Sequence, residues 1–195
     1  MAQSPVTGAY EFHRQEMVAG FNFSADWKFE FFYSYGALDR SATGSFSISG
    51  DTLHLKSDKE AGKDFTIKSQ SKEGGGYRIQ FEDNNKFLLS NIRCSFFVGN
   101  ERKDEYTNED GIIETDLLNC DKIYVYHELF PDMATLVKDI KNTNNRFTLT
   151  LNSSLGQVSF QGIDFKIEDN KLIPLMKNYI FPIEEVEFKK KEINQ

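Results

Sequence analysis

Apolar side chains recur at every second position early in the chain: Phe21 and Phe23, then Phe29, Phe31, Tyr33 and Tyr35, then Phe46 and Ile48, then Leu53 and Leu55. Successive strand residues point to opposite faces, so each set marks a strand with one buried side. Between the sets lie Ser24-Ala25-Asp26, Gly36 to Asp39, Gly50-Asp51 and Gly62, residues suited to tight turns at the spacing of an antiparallel meander. Phe65 and Ile67 continue the alternation. The polar stretch Gln70-Ser71-Lys72-Glu73-Gly74-Gly75-Gly76 follows, and its three glycines make it the expected domain boundary or long hairpin loop. The sequence therefore divides into residues 1–73 and 77–195.

The second part is equally rich in strand signals. Tyr77, Ile79 and Phe81 alternate, Ile92 to Val98 follow, and Asn108-Glu109-Asp110-Gly111 reads as a hairpin turn into Ile112 and Ile113. Ile123 and Val125 alternate with Tyr124 and Tyr126; then come Phe147, Leu149 and Leu151, Val158 and Phe160, and Ile163, Phe165 and Ile167, with a turn at Asp169-Asn170. One segment breaks the period. Met133, Leu136, Val137 and Ile140 fall at helical spacing after Pro131, which predicts a short helix, with a solvent-covered strand as the alternative. The expected fold is all-β: an antiparallel meander or partial barrel plus a β-sandwich, with at most one short helix near 132–141.

Charge removes some function classes. Across 195 residues the formal net charge is -7 and the pI about 5.1, whereas a nucleic-acid surface needs clustered Lys and Arg to displace counterions, so no nucleic-acid partner is expected. Lys189, Lys190 and Lys191 are the one basic cluster, and Glu184, Glu185, Glu187 and Glu192 largely cancel it. Mean hydropathy is -0.51 and no apolar run approaches the roughly 18 residues of a transmembrane helix. Met1-Ala2-Gln3-Ser4-Pro5 has neither a charged nor an apolar leader region; Ala2-Gln3-Ser4 before Gly8-Ala9-Tyr10 resembles the mature end of exported bacterial proteins, so a removed signal peptide and a periplasmic or secreted location are expected.

Candidate chemistry is sparse. Cys94 and Cys120 share parity with apolar neighbours, point inward, and form either one disulfide or two buried thiols. They lack the paired spacing of a zinc site. His13, His54 and His127 lie on separate strands with no ligand or nucleophile motif; His13, with Glu11 and Glu16 nearby, is the best candidate for a general base. With Gly111 at the sixth position of a calcium loop, Tyr106 and Leu117 stand where the first and twelfth ligands belong, so Asn108-Asp110-Gly111 is a turn instead. Gly74-Gly75-Gly76 lacks the following Lys-Ser or Lys-Thr of a phosphate loop, and no Gly-x-Ser-x-Gly elbow occurs. No cofactor and no metal are implied.

Two loose family resemblances add to this. Gly8-x-Tyr10, Phe21-x-Phe23, Asp26 before Phe29, Gly44-x-Phe46 and Gly50-Asp51-x-Leu53-x-Leu55 resemble the lipocalin-like domains of bacterial exported proteins over about a third of the chain. Trp27 replaces the glycine that often follows the aspartate at the first of these turns. Tyr77-Arg-Ile79, Asn84 to Leu89, Ile92 to Val98, Thr107-x-x-Asp110-Gly111 and Lys122-Ile123-Tyr124-Val125 resemble the carboxypeptidase-regulatory, transthyretin-like sandwich, a family of mostly accessory modules. The resemblance implies binding or positioning and carries over no catalytic residue.

The aromatic content, 14%, is the positive functional signal. Trp27, at an expected turn tip, is placed to anchor a partner or stack on a sugar ring, or else to pack over the open end of the sheet. Tyr33 with Tyr35, and Tyr124 with Tyr126, are candidate platforms or core covers. The expected function is a non-catalytic, exported binding or scaffolding module of the bacterial cell envelope that contacts protein or glycan. The alternatives are a carrier of a small apolar ligand in an aromatic-lined β-cup, and a hydrolase using carboxylates or His13.

Overall fold

The computed structural model describes residues 6–192, so Met1 to Pro5, the basis of the export expectation, lie outside the described residues. In chain order the strands are β1 (Gly8–Arg14), β2 (Met17–Phe23), β3 (Lys28–Tyr35), β4 (Leu38–Ser49), β5 (Thr52–Ser57), β6 (Phe65–Ser71), β7 (Tyr77–Glu82), β8 (Ile92–Val98), β9 (Glu101–Tyr106), β10 (Ile112–Thr115), β11 (Lys122–His127), β12 (Phe130–Lys138), β13 (Arg146–Leu151), β14 (Asp164–Glu168), β15 (Lys171–Pro174) and β16 (Phe188–Lys190). Two short 3-10 segments, Lys86–Asn91 and Ser153–Gly156, are the helical elements among the described residues. The fold is all-β, as the alternation requires.

The chain forms two compact units: one runs to Lys59 and resumes at Gly156, and the other spans Glu60–Leu155. The first is a closed antiparallel barrel in the order β1-β16-β15-β14-β5-β4-β3-β2. An eight-stranded barrel is just wide enough for its own side chains to fill, and phenylalanines fill this one. Phe21 sits at the centre, its ring 4.7 Å from Phe31, 5.0 Å from Phe188, and 5.4 Å from Phe160 and from Phe165. Phe160 and Val158, expected on a strand, lie instead in the irregular segment before β14 and still enter this cluster. Ile180, Phe181 and Val186, from the β15–β16 connection, join it too; Phe181 packs 5.3 Å from Phe188 and 6.1 Å from Phe31. On β4, Gly44 permits the close approach of β5: a Cβ there would fall 2.1 Å from the Lys56 carbonyl oxygen and 2.8 Å from the Phe29 ring.

The second unit holds two four-stranded sheets, β10-β7-β13-β6 and β12-β11-β8-β9. Their inner faces bury Tyr77, Ile79, Phe81, Phe147 and Leu149 against Ile92, Cys94, Phe96, Ile123 and Val125, and the Tyr77 and Phe96 rings meet at 5.7 Å. β13 lies between β6 and β7, antiparallel to the first and parallel to the second. The expected boundary at Gly74–Gly76 therefore falls inside this unit, as the connection that passes from β6 to β7 over the start of β13. It is not a hairpin, and it is tied down. Buried Asn145 donates its side-chain amide to the carbonyls of Gly76 (2.6 Å) and Glu73 (3.0 Å) and accepts from the Glu73 amide (2.9 Å), while Arg146 reaches the carbonyls of Gly75 and Gly76.

Three further expectations change. The chain divides at 59/60 and 155/156 rather than at 74–76, because strand pairing between distant segments, β14 with β5 and β16 with β1, is invisible to local composition. Residues 132–141 are not helical: β12 covers Phe130–Lys138, and register shifts opposite β11 reset its alternation, which produces the helix-like spacing. Asn108–Gly111 is a turn, with Asn108 Oδ1 accepting from the amides of Asp110 (3.1 Å) and Ile112 (2.9 Å), but β9 and β10 belong to different sheets, so it is a corner between them and not a hairpin.

Truncating Phe21 to Ala is expected to destabilise the chain by about 4 kcal/mol, whereas Tyr35→Ala, exposed at the end of β3, costs under about 1 kcal/mol; urea unfolding of both variants checks this. Asn145→Ala leaves several backbone carbonyls unsatisfied and is expected to cost about 3 kcal/mol by the same measurement.

Candidate functional site

The side of the β12-β11-β8-β9 sheet away from its core carries aromatic and charged residues in register. Across β9, β8 and β11, Tyr106 pairs with Arg93 and Arg93 with Tyr126; in the next row, Asp104 pairs with Ser95 and Ser95 with Tyr124, which in turn faces Leu136 on β12; in the third, Arg102 pairs with Phe97 and Phe97 with Lys122. Strand alternation produces this arrangement: Ile92, Cys94, Phe96, Ile123 and Val125 go to the core, and the residues between them face out. Tyr106 is 57% and Leu136 47% exposed, so these side chains are not simply covering a core.

The polar groups of the face hold one another in place. Arg102 grips Asp104 through both ends of its fork, at 2.8 Å and 2.6 Å, and Ser95 Oγ donates to the same carboxylate at 2.6 Å. The Arg102 guanidinium, helped by Ser95 and Arg93, keeps the Asp104 carboxyl below its ordinary range. Arg93 lies over the Tyr126 ring at 4.7 Å and forms an ion pair with Glu128 at 3.0 Å. The Phe97 ring meets Tyr124 edge-on at 5.8 Å. Rings fixed this way offer large contact area at little ordering cost.

Of the residues singled out from sequence, Tyr124 and Tyr126 share this face. Tyr33 does not share a platform with Tyr35: it is buried inside the barrel against Phe181, while Tyr35 is exposed at the strand end. Trp27 is half-buried, packs 5.3 Å from Phe46 and borders the barrel core, so it covers the sheet rather than standing clear of it. Its backbone adopts φ +64°, the left-handed conformation that a glycine at this turn would take without strain. Tyr106, Phe97, Arg93 and Arg102 were not marked by sequence. β9 reads Glu-Arg-Lys-Asp-Glu-Tyr and shows no apolar alternation; the available signal was the outward parity of Arg93 and Phe97 within the β8 run.

The candidate reactive groups do not converge. Cys94 and Cys120 are unbridged buried thiols, and burial pushes both thiols up, away from the reactive thiolate. His13 contacts Glu11 at 3.2 Å on the barrel surface, where Lys191 also reaches Glu11 at 2.9 Å. His54 pairs with Asp164 across β5 and β14 at 3.0 Å. His127 is buried, with Nε2 donating to the Leu88 carbonyl at 2.9 Å and Nδ1 accepting from the Leu129 amide at 3.2 Å. No group of three or more His, Cys, Asp or Glu suited to a metal ion occurs among the described residues. A surface depression of about 1270 Å³ beside Gly8, Asn22, Asn170, Lys171 and Lys190 is open, and Lys171 beside it is already paired with Glu187 at 2.8 Å.

No protein-family model matches the chain, and neither a curated protein nor a solved structure matches it. No helix among the described residues is long and apolar enough to cross a membrane.

Burial drives the His127 pKa from 6.5 down to about 4, so the folded chain holds this ring neutral while the unfolded chain protonates it near 6.5. The stability gained from the neutral ring is complete above pH 6.5 and is lost as pH falls toward 4. Between pH 7 and pH 5 this group is expected to remove about 2 kcal/mol of stability; His127→Gln should flatten that part of the profile in urea titrations at the two pH values.

Proposed function

We propose that the chain is a non-catalytic binding or scaffolding module that contacts protein or glycan through the outer face of the β12-β11-β8-β9 sheet. The observation that carries this reading is the registered row Tyr106–Arg93–Tyr126, with Tyr124, Phe97 and Leu136 beside it. A sheet that merely meets solvent needs polar residues there, whereas an exposed tyrosine beside half-buried rings, one of them under an arginine, has the composition of a recognition surface. In this reading the barrel, filled by its own phenylalanines, serves as a rigid body. The lipocalin-like and transthyretin-like resemblances and a place in or outside the bacterial cell envelope belong to the proposal too; fractionating cells that express the natural gene tests the location.

The face is tested by screening immobilised protein against a glycan array and envelope-protein extracts, then repeating every positive with the double variant Tyr106→Ala/Tyr126→Ala. Loss of two hot-spot rings is expected to weaken binding at least about thirtyfold without lowering the melting temperature, while Tyr35→Ala binds as before. Partners that bind the double variant unchanged would show that the contact lies elsewhere.

A further inference from the structure

His127 closes the β11–β12 turn from its buried side. Glu128 and Leu129 form that turn, and His127 pairs with Phe130 across it. The imidazole meets the Phe130 ring edge-on at 5.0 Å, donates from Nε2 to the Leu88 carbonyl at 2.9 Å and accepts the Leu129 amide on Nδ1 at 3.2 Å. The Glu128 amide donates to the Asn91 carbonyl at 2.8 Å, so the ring and the turn backbone hold the same 3-10 segment, Lys86–Asn91. Past the turn the β11–β12 ladder is irregular: between Val125–Thr135 and His127–Phe130 the register takes two steps on β11 (125 to 127) and five on β12 (130 to 135). The turn is therefore joined to the longer run of β12 through a break, and the imidazole is one of its anchors. On the other side of the sheet, the residues flanking His127 both touch Arg93: the Tyr126 ring lies 4.7 Å from the guanidinium, and Glu128 pairs with it at 3.0 Å.

We propose that His127 is an acid-released latch on the candidate face: when the ring takes up a proton it leaves its site, and the Glu128–Leu129 turn moves with it, drawing Glu128 from Arg93 and loosening Tyr126. This rests on the reading of the outer face as the binding surface and adds its regulation. The chemistry is local. An imidazolium carries N–H on both nitrogens, so Nδ1–H would face the Leu129 N–H, donor against donor, in a buried site. The titratable and charged residues on the elements around the ring are Lys86 on the 3-10 segment, Arg93 on β8, Glu105 and Tyr106 on β9, Tyr126 on β11, Glu128 in the turn and Asp132 on β12. Arg93 pairs with Glu128, and Glu105 with Lys103 at 2.7 Å; among the described residues none of these groups forms an ion pair with the ring. Burial lowers the proton affinity of the seated ring to a pKa of about 4, against 6.5 for a ring in water, with the Leu88 carbonyl opposing. A released ring thus binds the proton that the seated ring refuses, and the ratio of open to closed turn rises about twentyfold between pH 7 and pH 5.

The test is amide hydrogen exchange of the full chain, followed by NMR at pH 7 and pH 5 and corrected for the intrinsic exchange rate. The Glu128 and Leu129 amides should lose protection about twentyfold, and the loss should persist unchanged in sub-denaturing urea, because opening one turn exposes little surface. The Ile112 amide, held by Asn108 in a turn without a histidine, should keep its protection, and the Arg93 side-chain signals should shift over the same pH range. In His127→Gln the pH dependence at Glu128 and Leu129 should fall below about twofold. Unchanged protection at those two amides, an equal loss at Ile112, a loss that grows with urea as in global unfolding, Arg93 signals that stay put, or the same twentyfold loss in His127→Gln overturns the proposal. If the variant does not fold, the urea dependence in the natural chain decides. No ligand enters these measurements, so their failure removes the latch and leaves the face as the binding surface, whereas partners that bind Tyr106→Ala/Tyr126→Ala unchanged remove the face and leave only a pH-dependent turn.

Discussion

The first unit depends on the burial of one phenyl cluster. Phe21 touches rings from β3, from β14, from β16 and from the segment before β14, so the same side chain is a contact for residues about ten and more than a hundred and forty positions away. Removing that much apolar surface from water is the force that draws the C-terminal strands back to close the barrel. Closure in turn satisfies the backbone of β1 and β5, which would otherwise be open sheet edges. The glycines follow from this packing. Gly44 gives β5 its close approach, and Gly20 makes room for the ring of its cross-strand partner Phe32, which would meet a Cβ at 2.5 Å.

The second unit solves a different problem. Setting β13 between β6 and β7 leaves the Lys72–Gly76 connection to cross over a strand terminus, where its carbonyls need donors. Asn145 and Arg146, the residues at that terminus, supply them. A run of glycines that composition marks as loose is thereby one of the better-anchored connections of the unit. The same logic fixes His127 as neutral: both ring nitrogens are committed to backbone groups, and burial penalises the charged form.

The candidate face emerges from the core beneath it. Because Ile92, Cys94, Phe96, Ile123 and Val125 must point inward, Arg93, Phe97, Tyr124 and Tyr126 must point out, and pairing with β9 brings Tyr106 and Arg102 alongside. The Arg102–Asp104–Ser95 cluster ties β9 to β8, and Arg93, beside it, lies over the Tyr126 ring with Glu128 at 3.0 Å.

Period-two alternation alone determined that this chain is all-β, and it located most strands, because the pleat puts every second residue in the core whatever the topology. Turn residues marked Asp169-Asn170, and the Asp26-Trp27 turn survives the loss of glycine because Trp27 accepts positive φ while its ring packs on Phe46. Half of the candidate face, Tyr124 and Tyr126, was legible as an outward pair; Tyr33, of like appearance, went into the barrel because β3 has its core on that side. The tertiary structure decided the rest: the return of β14 to β16 to the barrel, the insertion of β13, the strand at 130–138, the free thiols, and the meeting of Tyr106, Arg93 and Tyr126. Those depend on pairing between segments far apart in sequence, where the free energy comes from surfaces buried together, and no local pattern records which surfaces those are.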